Sequence, residues 1–295
     1  MKSLPAAIVV GLLAGACAPV APVPSSGLSS ARIAEIVASP DRSAADRTND
    51  RRRKPEEMLA FIGPRPGMVA LDLSAAGGYT TELLARSIGP MGKVYGQAPV
   101  RDPNRAPPRP AAPEGNSNPS AAPAAATPAP AAAAPATPPA PPRPSAVALA
   151  DRDAAMKRAG VPAAPIVAVP QPFETPIPAE LAPGSLDLAT LMFNYHDLGF
   201  MGVDRAAMNR AVFGALKSGG AYVIADHAGR PGTGISESGT LHRIEEAFLK
   251  QEVEAAGFRL RAEGMFLRNP NDPRDKNTPD PPQPKDEFVL KFVKP

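Results

Sequence analysis

Seven short apolar runs, set among segments of helical periodicity, limit what this chain can fold into. Residues 68–73 (MVALDL), 93–96, 166–169, 186–193 (LDLATLMF), 221–225, 258–267 and 288–293 read as strands. Residues 56–62, 80–88, 146–159, 204–216 and 241–256 read as helices. The last of these rests on Leu241, Ile244, Phe248 and Ala255, which recur at helical spacing. Gly and Pro punctuate the pattern at Pro64, Pro66-Gly67, Gly89-Pro90, Gly219-Gly220 and Gly257. Strands that are apolar along their whole length need cover on both faces. The expected class is therefore α/β, a Rossmann-like, doubly wound and mostly parallel sheet. Ligands in such sheets sit beyond the carboxyl ends of the strands, at the switch point. Chemistry is thus expected just after Leu73, Gly96, Phe193 and Ala225.

One tract breaks the alternation. Of the 39 residues 106–144, 14 are proline and 15 alanine, with no aromatic or large aliphatic side chain. Such a segment buries too little apolar surface to offset its ordering entropy, so a disordered spacer is expected over residues 100–145. It interrupts a single domain, residues 53–295.

The amino terminus reads as an address. Lys2 supplies a positive start, and residues 6–16 (AAIVVGLLAGA) form an apolar run. As a helix it spans about 16 Å, roughly half a bilayer core. Ala14-Gly15-Ala16 then precedes Cys17, the only cysteine, and Pro19, Pro22 and Pro24 follow. Residues 1–17 resemble a bacterial lipoprotein signal. The resemblance implies lipidation at Cys17, a tether and amino-terminal segment over 18–52, and an exported protein held to the membrane by that anchor. Ala14 stands where the lipoprotein pattern usually has Leu, and the same residues fit ordinary cleavage to a soluble periplasmic form. One cysteine excludes an internal disulfide framework. The formal charge of +3 is no nucleic-acid footprint, and the cluster Arg51-Arg52-Arg53-Lys54 is flanked by Asp50, Glu56 and Glu57.

After the first strand comes Asp72-Leu73-Ser74-Ala75-Ala76-Gly77-Gly78. This resembles the first motif of class I S-adenosylmethionine (SAM)-dependent methyltransferases, an acidic residue followed by glycines at alternate positions. The order LLARSIGPMGKVYGQ, GSLDLATLMFNYHDL, LKSGGAYVIADHA and a terminal strand pair extends the likeness to a bacterial family of predicted methyltransferases. It implies a seven-stranded sheet with an antiparallel last strand, and SAM lying along Asp72, Ser74, Ala76, Gly77 and Gly78. Only Gly78 keeps a motif glycine, since Ser74 and Ala76 hold the other two positions. The second strand ends in Gln97-Ala98, with no carboxylate for the ribose hydroxyls, and Gln97 is the nearest substitute. Asp226 completes the expected cofactor set.

Two histidines lie at adjacent strand ends, in Asn194-Tyr195-His196-Asp197 and Asp226-His227; the third, His242, opens the expected last helix. Titratable groups clustered at a ligand face mark a site. Asn194, Tyr195, His196, Asp197 and His227 are the expected catalytic residues, acting on a small-molecule acceptor. His196, His227, Asp226 and His242 are types that ligate metal, but no pair is spaced like HExxH, and no metal is expected. The alternative is an exported, non-catalytic ligand-binding protein on the same fold.

Overall fold

A computed structural model describes residues 27–99, 143–277 and 284–295. The expectations for the signal at 1–17, for Cys17 and for residues 100–142 of the spacer lie outside the described residues. Among the described residues, no helix is long and apolar enough to cross a membrane.

The elements run α1 (Ser30–Ala38), α2 (Ala44–Arg53), α3 (Pro55–Ile62), β1 (Val69–Leu73), α4 (Tyr79–Ile88) and β2 (Lys93–Gln97). Beyond the tract follow α5 (Ser145–Arg158), β3 (Ile166–Val169), β4 (Leu186–Met192), α6 (Asp197–Phe200), α7 (Arg205–Ala215) and β5 (Leu216–His227). The chain closes with α8 (Ser238–Leu241), α9 (Glu246–Ala255), β6 (Arg259–Gly264) and β7 (Glu287–Val293).

All seven strands form one sheet in the order β3-β2-β1-β4-β5-β7-β6. Pairing is parallel from β3 to β5, and β7 runs antiparallel to both β5 and β6. Successive strand residues face opposite sides, and both sides are buried. Leu71, Leu73, Ala189, Leu191 and Ile224 pack toward Met208 and Val212 of α7 and Leu249 and Val253 of α9. Ala70, Val94, Leu188 and Val223 pack with Met58 of α3, Leu84 of α4 and Leu149 of α5. The order reverses between β1 and β4, so the crevice at their carboxyl ends is the switch point.

Three departures from the sequence pattern bear on the site. First, the part of the expected tether and amino-terminal segment (18–52) that is described forms helices α1 and α2, which pack on the domain. Helix α1 puts Ile33 and Ile36 against Leu59 and Leu83. Ser29 and Ser43 cap α1 and α2 by accepting from the backbone N–H of Arg32 and Asp46. Second, β5 starts at Leu216, ahead of Gly219-Gly220, because Leu216 pairs directly with Leu186. Third, the long last helix is broken. His242 adopts φ 52, and Ile244 bridges Ala228 at the end of β5. Arg243 explains the break. Fully buried, it binds Asp272 at 2.9 Å and the carbonyl of Ala228, a geometry that a continuous helix cannot supply.

Candidate functional site

The turn after β1 holds Ser74, Ala76 and Gly78 at φ 54, 47 and 81. The left-handed backbone that alternate glycines would supply is thus present with only one of them. For an L-residue this conformation costs about 1–2 kcal/mol. The turn closes on itself and on β2. Ser74 N–H donates to Gln97 Oε1 (3.1 Å), Ala75 N–H to the Gln97 carbonyl, and Gly78 N–H to the Ala75 carbonyl.

Asp72 is buried between β1, α4 and β4. Its two carboxylate oxygens accept from Thr81 Oγ1 (2.6 Å) and Thr190 Oγ1 (2.7 Å), which ties α4 and β4 to β1. Burial pushes this carboxyl up to about 6 despite those two donors. Gln97 is likewise fully buried, and its Nε2 donates to the Gln171 carbonyl at 2.7 Å. Its amide therefore serves the scaffold and offers nothing to a ribose. Gly77 contributes no side chain and borders a cavity of about 320 Å3. That cavity is also lined by Asp41, Glu82, Arg86 and Arg152.

The ends of β4 and β5 assemble the titratable groups. Asn194 links the turn to them, accepting from Ser74 Oγ (2.5 Å) and donating through Nδ2 to Asp197 Oδ2 (2.7 Å). His196 is buried and lies between two carboxylates: Nδ1 is 2.5 Å from Asp226 Oδ1, and Nε2 is 3.0 Å from Asp197 Oδ1. Burial alone would lower its pKa, but Asp226 and Asp197 outweigh it and raise the imidazole to about 9. Asp226 also accepts the backbone N–H groups of His196 (2.7 Å) and His227 (2.8 Å), so this fully buried carboxylate is an internal strut. Asp197 would be raised by its own burial, yet His196 and His242 hold it below the ordinary carboxylate range.

His242, absent from the expected site, reaches it by the break in the last helix. Its Nδ1 is 2.8 Å from Asp197 Oδ1, and its ring meets His196 edge-on. Gly199 makes that approach possible. A Cβ there would stand 2.4 Å from Ile235 Cγ1 and 2.7 Å from Ser238 Oγ, so α6 and α8 could not meet. Ser238 then joins the helices, donating to the His196 carbonyl (2.6 Å) and accepting from Phe200 N–H (3.0 Å).

Two expected site residues sit elsewhere in the chemistry. Tyr195 faces the opposite layer, fully buried, where its hydroxyl donates to Glu252 (3.0 Å) and accepts from Asn209 (2.8 Å). Beyond the end of β4, the left-handed backbone of Phe193 (φ 59) breaks the alternation, and Tyr195 joins the layer of α7 and α9. His227 stacks between Phe193 and His196. Its Nδ1 lies 2.9 Å from Glu287 Oε1 without hydrogen-bond geometry and is buried without a partner. Burial holds this imidazole well below its ordinary pKa, so it is neutral.

The basic cluster also arrives here. Arg52 binds Glu287 (2.7 Å), and the guanidinium carbons of Arg52 and Arg53 each stand 4.8 Å from the Phe193 ring centroid. Acids flank this cluster in sequence; in space two of its members, Arg52 and Arg53, lie over the Phe193 ring. A cavity of about 20 Å3 remains between Arg53, Met58, Tyr79 and Phe193, room for about one water.

The sheet order, its antiparallel β7 and a turn left-handed at three alternate residues agree with the resemblance. The fold is a Rossmann-like, seven-stranded α/β sheet of the kind that the resemblance to class I SAM-dependent methyltransferases implies. No family model matches the sequence, and no curated protein does. Similar solved structures include a SAM-dependent methyltransferase from Aquifex aeolicus, at 14% identity and TM-score 0.49, covering 90% of this chain and 98% of that one. Another is a TehB-like SAM-dependent methyltransferase from Corynebacterium glutamicum, at 14% identity and TM-score 0.44, covering 85% and 99%.

Proposed function

We propose that this chain is a SAM-dependent methyltransferase-like protein, with the cofactor along residues 74–78 and a small-molecule acceptor beside Asn194, Asp197 and His242. The carrying observation is the strained turn. Ser74 and Ala76 stay left-handed at the sheet's switch point, and strain kept at a ligand face is characteristic of a site. The turn has the left-handed backbone that the resemblance asks for, but Ser145 and Arg152 of α5 donate to its Ala76 and Gly77 carbonyls, and the buried amide of Gln97 leaves the ribose without a side-chain acceptor from β2. SAM, when bound, supplies an electrophilic sulfonium methyl. The chain's residues orient the acceptor and receive its proton. His196, held charged by two carboxylates, is unsuited to that. His242 is half-buried, and its Nδ1 contact with Asp197 leaves Nε2 to take the proton.

The same saturation at Gln97 and Ser74 favours a second reading, a non-catalytic ligand-binding protein on this fold. Either form would be exported and anchored through Cys17. Calorimetric titration with SAM separates the two. Measurable SAM affinity, retained or tightened in Ala76→Gly, supports the enzyme; no heat at millimolar SAM leaves the binding protein. Release from the membrane by Cys17→Ser would support the anchor.

A further inference from the structure

We propose that His196, Asp197 and His242 form a binding site for a divalent first-row transition metal, with zinc the best match to the donors. Nε2 of His196 and Nδ1 of His242 stand 3.0 and 2.8 Å from one oxygen, Oδ1 of Asp197. All three ligand atoms lie within 4.8 Å of one another. Ligands at about 2.0–2.2 Å around tetrahedral zinc are about 3.3–3.6 Å apart, so the ion is admitted when the two contacts to Asp197 open by about 0.5 Å and the two imidazole nitrogens, now within 4.8 Å, draw together to that separation. The ion would take the place of the protons that now join these side chains and release them to solvent.

The surroundings are those of a metal site. Asp226 binds Nδ1 of His196, the carboxylate–histidine arrangement that fixes an imidazole's orientation and leaves Nε2 to the metal. Asn194 occupies Oδ2 of Asp197, which aims Oδ1 at the two imidazoles. His242 reaches the triangle through a left-handed backbone that costs about 1–3 kcal/mol in a residue other than glycine. The side chains of Asp197 and His242 remain 22% and 24% exposed, which leaves a side from which water or an acceptor oxygen completes the coordination. Two imidazoles and one carboxylate suit zinc and its neighbours, whereas magnesium and calcium prefer all-oxygen sites. His227 stands outside the set, its Nδ1 turned to Glu287. The inference goes beyond methyl transfer and does not depend on it, because metal binding is read without SAM.

The test is titration of chelator-treated full-length protein with Co2+, followed by its visible d–d absorption, and then displacement by Zn2+. A Cys17→Ser background keeps the thiolate out of the measurement. The expected result is a single ion per chain, displaced by Zn2+ and untouched by excess Mg2+. His242→Ala and Asp197→Asn should each weaken binding by about 100-fold, and Asp226→Asn, a change behind the ligands, by about 10–100-fold. His227→Ala should change it less than about threefold. Asp197→Asn is nearly isosteric, so it tests the site even if His242→Ala perturbs the α8–α9 break. Absence of a cobalt spectrum and of zinc by elemental analysis would overturn the proposal. So would binding indifferent to both His242→Ala and Asp197→Asn. Loss of SAM binding with metal binding intact would count only against the methyltransferase reading.

Discussion

The turn after β1 and the ends of β4 and β5 meet at one crevice, joined by the Ser74–Asn194 hydrogen bond, yet they are built in opposite ways. The turn is local. Five consecutive residues set its backbone, and the amides of Ser74, Ala75 and Gly78 bond within it or to Gln97. The strand ends are a side-chain assembly drawn from distant segments, with Asp226 reaching 30 positions to His196 and His242 reaching 45 to Asp197. Local geometry survives the replacement of two glycines by Ser74 and Ala76, at a cost in strain. A buried charge network does not survive the loss of a member in this way, because the remaining charges stay behind without partners.

The sharpest test of that contrast is Asp226→Ala. It strands a buried, charged His196 and two backbone N–H groups, and should cost about 3–5 kcal/mol. At about 2–4 °C per kcal/mol for a domain of this size, the melting temperature should fall by about 10 °C in scanning calorimetry. A fall under about 2 °C would mean the network contributes little to stability.

Next in size is a pH effect at Asp72. Its folded pKa is about 6 against an ordinary 3.8, so between these values the native state keeps a proton that the unfolded chain has lost. Stability from this group is therefore full below about pH 4 and declines as pH rises to about 6, by about 2–3 kcal/mol. Asp72→Asn cannot titrate. Chemical denaturation across pH 4–7 should show a slope in the wild type that the variant lacks, and parallel profiles would refute the assignment.

Tyr195→Phe separates strand end from crevice. Removing a hydroxyl bonded to Asn209 and Glu252 should cost about 1–2 kcal/mol and leave SAM affinity unchanged, since the ring faces the other layer. A drop in SAM affinity without loss of stability would return Tyr195 to the site. The smallest effect is expected from Ala76→Gly. Relief of about 1–2 kcal/mol of strain is offset by about 0.5–1 kcal/mol of glycine entropy, for a net gain below about 1 kcal/mol. Ser74→Gly should gain nothing, because it also loses the bond to Asn194. Equal gains at both positions would show that this bond is energetically silent.

Much of the architecture is legible in the chain because apolar runs are local signals. Residues 166–169 coincide with β3, and the other strands are found with shifts at their ends. Helix α2 (AADRTNDRRR) carries no apolar stripe. It is held by Arg42–Asp50 and Arg152–Asp46 ion pairs, which pattern reading does not detect. The candidate site is only half legible. Asn194, His196 and Asp197 stand at the expected strand end, while Asp72, Gln97 and Asp226 turn out to brace the scaffold. His242 was hidden by the periodicity of Leu241, Ile244 and Phe248. His242 and Arg243 fall on the polar face of that expected helix, so the pattern carried no signal of the break.

Periodicity along the chain was sufficient for the succession of strands and helices, the two-sided burial of the sheet and the crevice at the strand ends. Each of these depends on residues within a few positions of one another. Packing alone turned Tyr195 away, brought Arg52 and Arg53 over Phe193, and broke the last helix so that His242 meets Asp197. Those outcomes rest on contacts such as Arg52–Glu287 and Arg243–Asp272, between residues far apart in the chain, whose energies exist only once the sheet has formed.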